Sequence, residues 1–484
     1  MADQTPDFAQ HLDTAQNHHR SGRLSEAEAA YLAALQVAPA SVDVLRLLGA
    51  LYLQRGAAQS AIPYLTRALS IDPNQHEARL NLGRALISVQ RYGEACAELA
   101  HALRVQPDNI DTLINYGNAL HKLGRTDEAI AAYRRAIILE PGHALAQFSL
   151  GRAFAAEGRP HDALEHYDQA LAAQANYAEA RWAKGVTKLM LGEYLDGWTL
   201  YEARWQSPSF GHSPRQFPRP MWDGGGISGK TLLVHAEQGF GDTIQFCRYI
   251  QLLTAQGVRV LLLAQPELRS LLQASLSCDV FSPGEPIPKF DVHCALLSLP
   301  HLMRTTLETV PHTTPYLTPP SDKITRWENL LGPKQKVRVG LAWSGRRTHI
   351  DDQRRSMTLE ALRSILELGA EFHALQTEIS AADQEALSQS NIRTFDVKNR
   401  DFGDAAAHVA AMDVVVSVDT SLAHLAGGLG KRTWIMLAHK PDFRWMLNRE
   451  DSPWYPTAQL FRQTQKSNWD DVIARVRSEL QKLL

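Results

Sequence analysis

Small and apolar positions recur every 34 residues along the N-terminal part of the chain. Gly49, Gly83, Gly117, Gly151 and Gly185 form one register; Gly22, Gly56, Gly124, Gly158 and Gly192 form a second, with Gln90 filling its gap. Ala27, Ala61, Ala95, Ala129 and Ala163 form a third, followed four residues later by Tyr31, Leu65, Leu99, Tyr133 and Tyr167. Pro39, Pro73, Pro107 and Pro141 each follow a short apolar helix end, and Ala175 breaks that series. A fixed period of this length signals stacked supersecondary units. The pattern predicts two antiparallel helices per unit. Gly and Ala let the pair approach closely, the large residue fills the space between neighbouring units, and proline cannot continue the helix before it. Five full units start near Phe8, Val42, His76, Ile110 and Ala144, and a partial sixth runs through EARWAKGVTKLMLGEYLDGWTLYEARW.

These registers resemble the tetratricopeptide repeat and predict an α-solenoid over residues 1–205. Such solenoids present a concave face that takes an extended peptide or another protein. Asn81, Asn115 and Asn118 fall near the positions that line the groove in that family. They suit either a bound peptide backbone or plain solvation. A dimerisation surface or a rigid spacer is the alternative use of the array.

The periodicity then changes. QSPSFGHSPRQFPRPMWDGGG, within a linker at 206–228, holds four prolines and three consecutive glycines, which neither a helix nor a central strand tolerates. Beyond it, short apolar runs alternate with helical stretches. Strand-like runs occupy 231–236, 258–264 and 292–299, then 337–344, 371–377, 391–395, 414–418 and 432–437. Continuous apolar strands alternating with helices imply parallel sheets covered on both faces. Two sets imply two Rossmann-like lobes, 229–325 and 326–484, with an interlobe cleft. Ligands in such sheets sit beyond the carboxyl ends of the strands, so the loops there are the candidate chemistry.

After the first strand, Gly239-Phe240-Gly241-Asp242 opens a helix, preceded by Glu237. The spacing lacks the third glycine of a dinucleotide fingerprint, and Asp242 suits either a helix cap or a reactive carboxylate. After the strand at 414–418, Asp419-Thr420-Ser421 begins a helix, with His424 one turn in; free amides and hydroxyls there suit phosphate. Ser344 and Gly345 end another strand before Arg346, Arg347, Arg354 and Arg355, cations that suit a diphosphate leaving group or form a solvated basic loop. Asp351 and Asp352 lie among these arginines and more simply pair with them than bind a metal. Gln376 and Glu378 follow a strand and are placed to hydrogen-bond a ribose or base.

Taken together, these loops resemble the heptosyltransferase-like glycosyltransferases (family 9) of the GT-B fold, over residues 229–465. DTSLAH is similar to that family's D-[TS]-[GS]-x-x-H donor motif, and the GD after the first strand is the second match. The resemblance implies a metal-independent, inverting transferase with no cofactor, whose nucleotide-sugar donor binds the C-terminal lobe. It makes Asp242 the base, and assigns Asp419, Thr420, Ser421 and His424 to the donor phosphates. The family's lysine is replaced here by Arg347 or Arg355, and Glu378 matches the ribose-binding glutamate. Glu237 either orients the loop or contacts the acceptor. Repeats fused to such a unit resemble O-GlcNAc transferases and bacterial flagellin glycosyltransferases, which implies a Ser or Thr acceptor on a protein held by the repeats. A non-catalytic scaffold and a lipopolysaccharide or polysaccharide acceptor are the alternatives.

Charge and cysteines narrow the setting. A formal net charge of -2 gives no basic bias toward nucleic acid or a membrane surface. The N-terminus does not read as a signal peptide, and no apolar run is long enough for a membrane span. Cys96, Cys247, Cys278 and Cys294 form no CxxC pair, so they predict buried thiols in a reducing, cytoplasmic setting.

Overall fold

The computed structural model describes residues 8–211, 214–345, 352–397 and 400–484. Five helix pairs open the chain: α1 (Phe8–Arg20), α2 (Leu24–Val37), α3 (Val42–Gln54), α4 (Ala58–Ile71), α5 (His76–Ser88), α6 (Tyr92–Val105), α7 (Ile110–Lys122), α8 (Thr126–Leu139), α9 (Ala144–Ala156) and α10 (Pro160–Ala173). The five predicted unit starts coincide with the first residues of α1, α3, α5, α7 and α9.

The registers now have contacts. A Cβ on Gly49 would collide with the Leu65 side chain, and one on Gly117 would lie 2.5 Å from Tyr133. The large residue therefore covers the glycine of its own unit, rather than filling the space between units as expected. Ser41, Gln75, Asn109 and His143 share one register and cap α3, α5, α7 and α9, accepting from Val44, Ala78, Thr112 and Ala146 N–H. Gly22, Gly56, Gly124 and Gly158 adopt positive φ at the turn inside each pair; Gln90 does so at 62° without a glycine's freedom.

The chain divides into compact units at Ala180/Arg181, so most of the sixth helix pair, α11 (Ala178–Leu191) and α12 (Tyr194–Tyr201), belongs with the α/β unit rather than with a solenoid ending at 205. Next come β1 (Thr231–His235), α13 (Phe240–Phe246), α14 (Arg248–Ala255), β2 (Arg259–Leu263), α15 (Arg269–Ser275), β3 (Asp279–Phe281), β4 (Val292–Ala295) and α16 (Leu299–Leu302). These strands form a parallel sheet in the order β3-β2-β1-β4.

The second set is α17 (Ser321–Leu331), β5 (Arg338–Ala342), α18 (Asp352–Arg355), α19 (Arg363–Leu366), β6 (Glu371–Ala374), α20 (Ala381–Ser388), α21 (Phe402–Ala410), β7 (Val414–Val418), α22 (Ser421–Gly428), β8 (Thr433–Leu437), β9 (Ala458–Arg462) and α23 (Asp470–Gln481). Its parallel order is β6-β5-β7-β8-β9. One apolar core runs through α11 and α12 and residues of both sheets, including Trp198, Val234, Val260, Val415 and Leu460.

Three expectations change. Residues 391–395 form no strand; Arg393 alone bridges to His373. The run predicted through 299 turns helical at Leu296. The linker is packed: Met221 bridges His293 on β4, and Trp222 is buried in the core.

Candidate functional site

α13 begins at the end of β1 and α22 at the end of β7, and the two helices pack against each other. Gly241 makes this possible: a Cβ there would lie 3.0 Å from His424 Cδ2 and 3.6 Å from Ser421 Cα. The two sequence motifs, well separated along the chain, are thus in contact. Phe240 and Phe402 rings, 4.9 Å apart, continue the seam, and Ser270 Oγ on α15 donates to Asp401 Oδ2 at 2.7 Å.

Asp242 stands at the third position of α13, and its Oδ2 accepts the Gly239 N–H at 3.0 Å, so the helix-cap role is real. Gly239 itself keeps ordinary φ and leaves room for that carboxylate. Asp242 Oδ1 accepts from Arg444, which stands in the loop after β8. Arg444 also donates to Gln245 Oε1 at 2.7 Å and Asp442 Oδ1 at 2.7 Å. Burial pushes the Asp242 carboxyl above its ordinary range while Arg444 pulls it back. Burial and the nearby Asp442 raise Asp419 to about 6, with Arg355 and Arg444 opposing.

The loops of the second sheet also meet. Arg355 Nη1 donates to the Asp419 carbonyl at 3.1 Å, tying the loop after β5 to the loop after β7. A Cβ on Gly345 would lie 2.7 Å from Arg355 Nη2 and from Asp352 Oδ1, so that glycine lets the pair close over it. Thr420 caps α22 by accepting the Leu422 N–H at 3.3 Å, and Ser421 follows on its first turn. His424 is buried against Trp445, with Nδ1 2.9 Å from the Tyr455 hydroxyl. Burial and three arginines hold it well below its ordinary pKa, so it brings a neutral ring. Arg347 lies outside the described residues.

Gln376 lines the cleft at the end of β6, but its amide is engaged within the protein. Its Oε1 accepts from the backbone N–H groups of Trp343 and Ser344, and its Nε2 donates to Ser344 Oγ and the Glu378 carbonyl. It therefore shapes the loop after β5. Glu378 is exposed beside a cleft of about 370 Å³ at the end of β6, lined in part by Gln376, Thr394, Phe395, Asp396 and Arg400. Glu237 is tied to neighbouring segments: its Oε1 accepts from Leu297 N–H and Arg204, and burial raises it to about 7. In the repeats, Asn118 Oδ1 accepts from Tyr133 and Asn115 donates to its own helix at Asp111; Asn81 is half-buried on α5.

Two contributors went unnoticed in the sequence. Arg444 sits in KPDFRWM, a charged and aromatic loop directly after a strand, which was the available signal. Arg204 carries no local signal, because it lies inside the last repeat-like segment. Among the described residues, no group of three or more His, Cys, Asp or Glu side chains could hold a metal ion, and no helix is long and apolar enough to cross a membrane. Cys96, Cys247 and Cys294 are buried free thiols, and Cys278 is half-buried.

The N-terminal region is a solenoid of tetratricopeptide repeats. Tetratricopeptide repeat models match residues 12–76, 52–114, 99–131 and 148–203, and a TPR repeat model matches 117–158. Protein FlbA of Caulobacter vibrioides is 27% identical over 328 residues, which cover 62% of this chain and 54% of that protein. The chain thus spans about half the length of the curated relative it matches. Among solved structures, MamA protein is 26% identical with a TM-score of 0.32, over 36% of this chain and 94% of its own. YrrB, described as a TPR protein with an unusual peptide-binding site, is 23% identical with a TM-score of 0.33, over 37% and 92%. A thermophilic TPR protein of Thermus thermophilus is 21% identical with a TM-score of 0.34, over 38% and 100%.

Proposed function

We propose that the chain is a GT-B glycosyltransferase that moves a sugar from a nucleotide-sugar donor to a Ser or Thr hydroxyl of a protein recruited by the repeats. The supporting observation is the meeting of Gly239-Phe240-Gly241-Asp242 with Asp419-Thr420-Ser421 and His424 at the seam of two parallel sheets. In this reading the donor diphosphate lies against the α22 N-terminus, where backbone amides and the Thr420 and Ser421 hydroxyls favour negative charge. Arg355 stands over the same loop and offsets the charge that develops as the sugar–phosphate bond breaks. The acceptor oxygen bonds to the anomeric carbon from the opposite face, inverting it, and its proton passes to Asp242. Burial makes Asp242 a stronger base than an exposed carboxylate, and Arg444 keeps it ionised. Charge is handled by protein groups, so the step needs no metal.

The second reading is a TPR scaffold whose α/β unit does not catalyse. What favours it is that both Asp242 oxygens already accept hydrogen bonds from the protein. Asp242→Asn separates the two. In the catalytic reading it abolishes transfer, while nucleotide sugars still raise the melting temperature by mass action. A wild-type chain that takes no nucleotide sugar at all supports the scaffold.

A further inference from the structure

The Glu202–Gln206 turn that follows α12 sends Arg204 into the α/β core, where the residue is 0% exposed. Its guanidinium carbon lies 4.8 Å from the Tyr201 ring centre and 4.6 Å from that of Trp205. Nη2 donates to Ser298 Oγ at 2.8 Å and to Glu237 Oε1 at 3.3 Å, and Nη1 donates to Glu202. Ser298 Oγ donates to the other Glu202 oxygen at 2.9 Å, which closes the network. One residue on, Gln238 Nε2 donates to the Tyr201 hydroxyl at 3.0 Å, and the Gln238 carbonyl accepts from Gln265. The loop between β1 and Asp242 is therefore held in part by the segment that precedes the linker.

A fully buried guanidinium persists only where acceptors surround it, so this turn and the loop specify each other's positions. One cation serves two carboxyl groups here, and Glu237 Oε2 is buried without a hydrogen-bond partner. The charged groups that act on Glu237 are Arg204 from this turn and Asp242 from α13, and Glu237 acts in turn on Cys294 of β4.

We propose that Arg204 is a positioning residue for Asp242: through Glu237 it fixes the loop that presents the candidate base. This rests on the glycosyltransferase reading above. The same contacts make the loop responsive to one proton. Burial raises Glu237 to about 7, and the Arg204 guanidinium restrains that rise. An ionised Glu237 disfavours a second negative charge on Asp242, which raises the basicity of that carboxylate.

The test compares the full chain with Arg204→Lys, Arg204→Met and Glu237→Gln, by hydrogen exchange and by the pH profile of sugar transfer. In Arg204→Met the amides of Gln238 to Gly241 should exchange faster by about tenfold or more, with those of α22 unchanged. The wild-type kcat should show an inflection near pH 7. Glu237→Gln should remove it, Arg204→Met should move it upward by about one unit or more, and Arg204→Lys should restore most of the wild-type profile. A purely structural Arg204 would lower the yield of folded protein without moving the inflection. Unchanged exchange in the loop overturns the clasp, and an unmoved inflection in both Arg204→Met and Glu237→Gln overturns the positioning role. If Arg204→Met does not fold, Glu237→Gln and Arg204→Lys still decide. A wild-type chain that transfers no sugar sinks the glycosyltransferase reading and the positioning role with it, while the exchange result still decides the clasp.

Discussion

Arg444 reaches from the loop after β8 to Asp242 on α13, so the second sheet supplies the cation that holds the candidate base of the first. The same guanidinium serves Asp442, and Asp419 feels its charge. Arg444→Met would leave the largely buried Asp242 and the more open Asp442, 37% exposed, without their shared cation, at an expected cost of about 3 kcal/mol. Asp242→Asn keeps Arg444 on Asp442 and should cost about 1–2 kcal/mol. All ten tryptophans lie at or beyond residue 182, so tryptophan fluorescence during urea unfolding reports this unit alone. Equal costs would mean that Arg444 acts only through Asp242.

The two glycines of the GFGD turn should respond differently. A Cβ on Gly241 meets His424 at 3.0 Å, so Gly241→Ala must push α22 away or turn the imidazole, at about 1–3 kcal/mol. At Gly239 the nearest atom is 3.4 Å away and φ is ordinary, so Gly239→Ala should stay within about 0.5 kcal/mol. The same fluorescence measurement ranks them. A Gly239→Ala cost as large as that of Gly241→Ala would contradict the proposed role of close helix approach.

Gln90 is the one non-glycine at its turn register, with φ at 62°. Gln90→Gly should relieve that conformation and stabilise the α5–α6 pair by about 0.5–1 kcal/mol, seen as slower hydrogen exchange in both helices. Faster exchange would show that the greater freedom of glycine in the unfolded chain outweighs the relief.

Two buried groups pull stability in opposite directions with pH. Glu237 has its folded value raised to about 7, so its contribution is present at low pH and is lost as pH rises from its unfolded value through 7. His235, packed against Phe217 and His293 with neither ring nitrogen hydrogen-bonded, is lowered to about 3 by burial and nearby positive charge. Its contribution is present above its unfolded value and is lost as pH falls through that value toward 3. His235→Leu should therefore gain about 2 kcal/mol at pH 5 relative to its effect at pH 8, and Glu237→Gln should flatten the decline between pH 5 and 7. Urea midpoints at those pH values check both. Parallel curves for variant and wild type would remove these groups as the source.

The repeat boundaries were readable because a glycine clash or a positive φ tolerates few alternatives, and both recur at fixed spacing. The common helix-capping register escaped notice because Ser41, Gln75, Asn109 and His143 are chemically dissimilar. β3 is three residues long and β9 is interrupted by Gln459 and ends on Arg462, so neither shows the continuous apolar run of a buried strand. NIRTF shows some alternation, yet only Arg393 pairs. The motif residues were found because strand–turn–helix junctions are local. Their partners were not, since Arg204 and Arg444 lie 33 residues before Glu237 and 202 residues after Asp242. Gln376 and His424 show the reverse: the strand-end pattern singles them out, but the backbone engages one and burial holds the other neutral.

Asp242 is the group proposed to remove the acceptor's proton. Intact-protein mass spectrometry of bacterial proteins co-expressed with the wild-type chain or with Asp242→Asn tests this most directly. With Asp242 as the base, a sugar mass is expected on at least one protein with the wild-type chain and on none with the variant, while both chains gain thermal stability from the same nucleotide sugar. The same sugar mass with Asp242→Asn, or none with either chain, would contradict it.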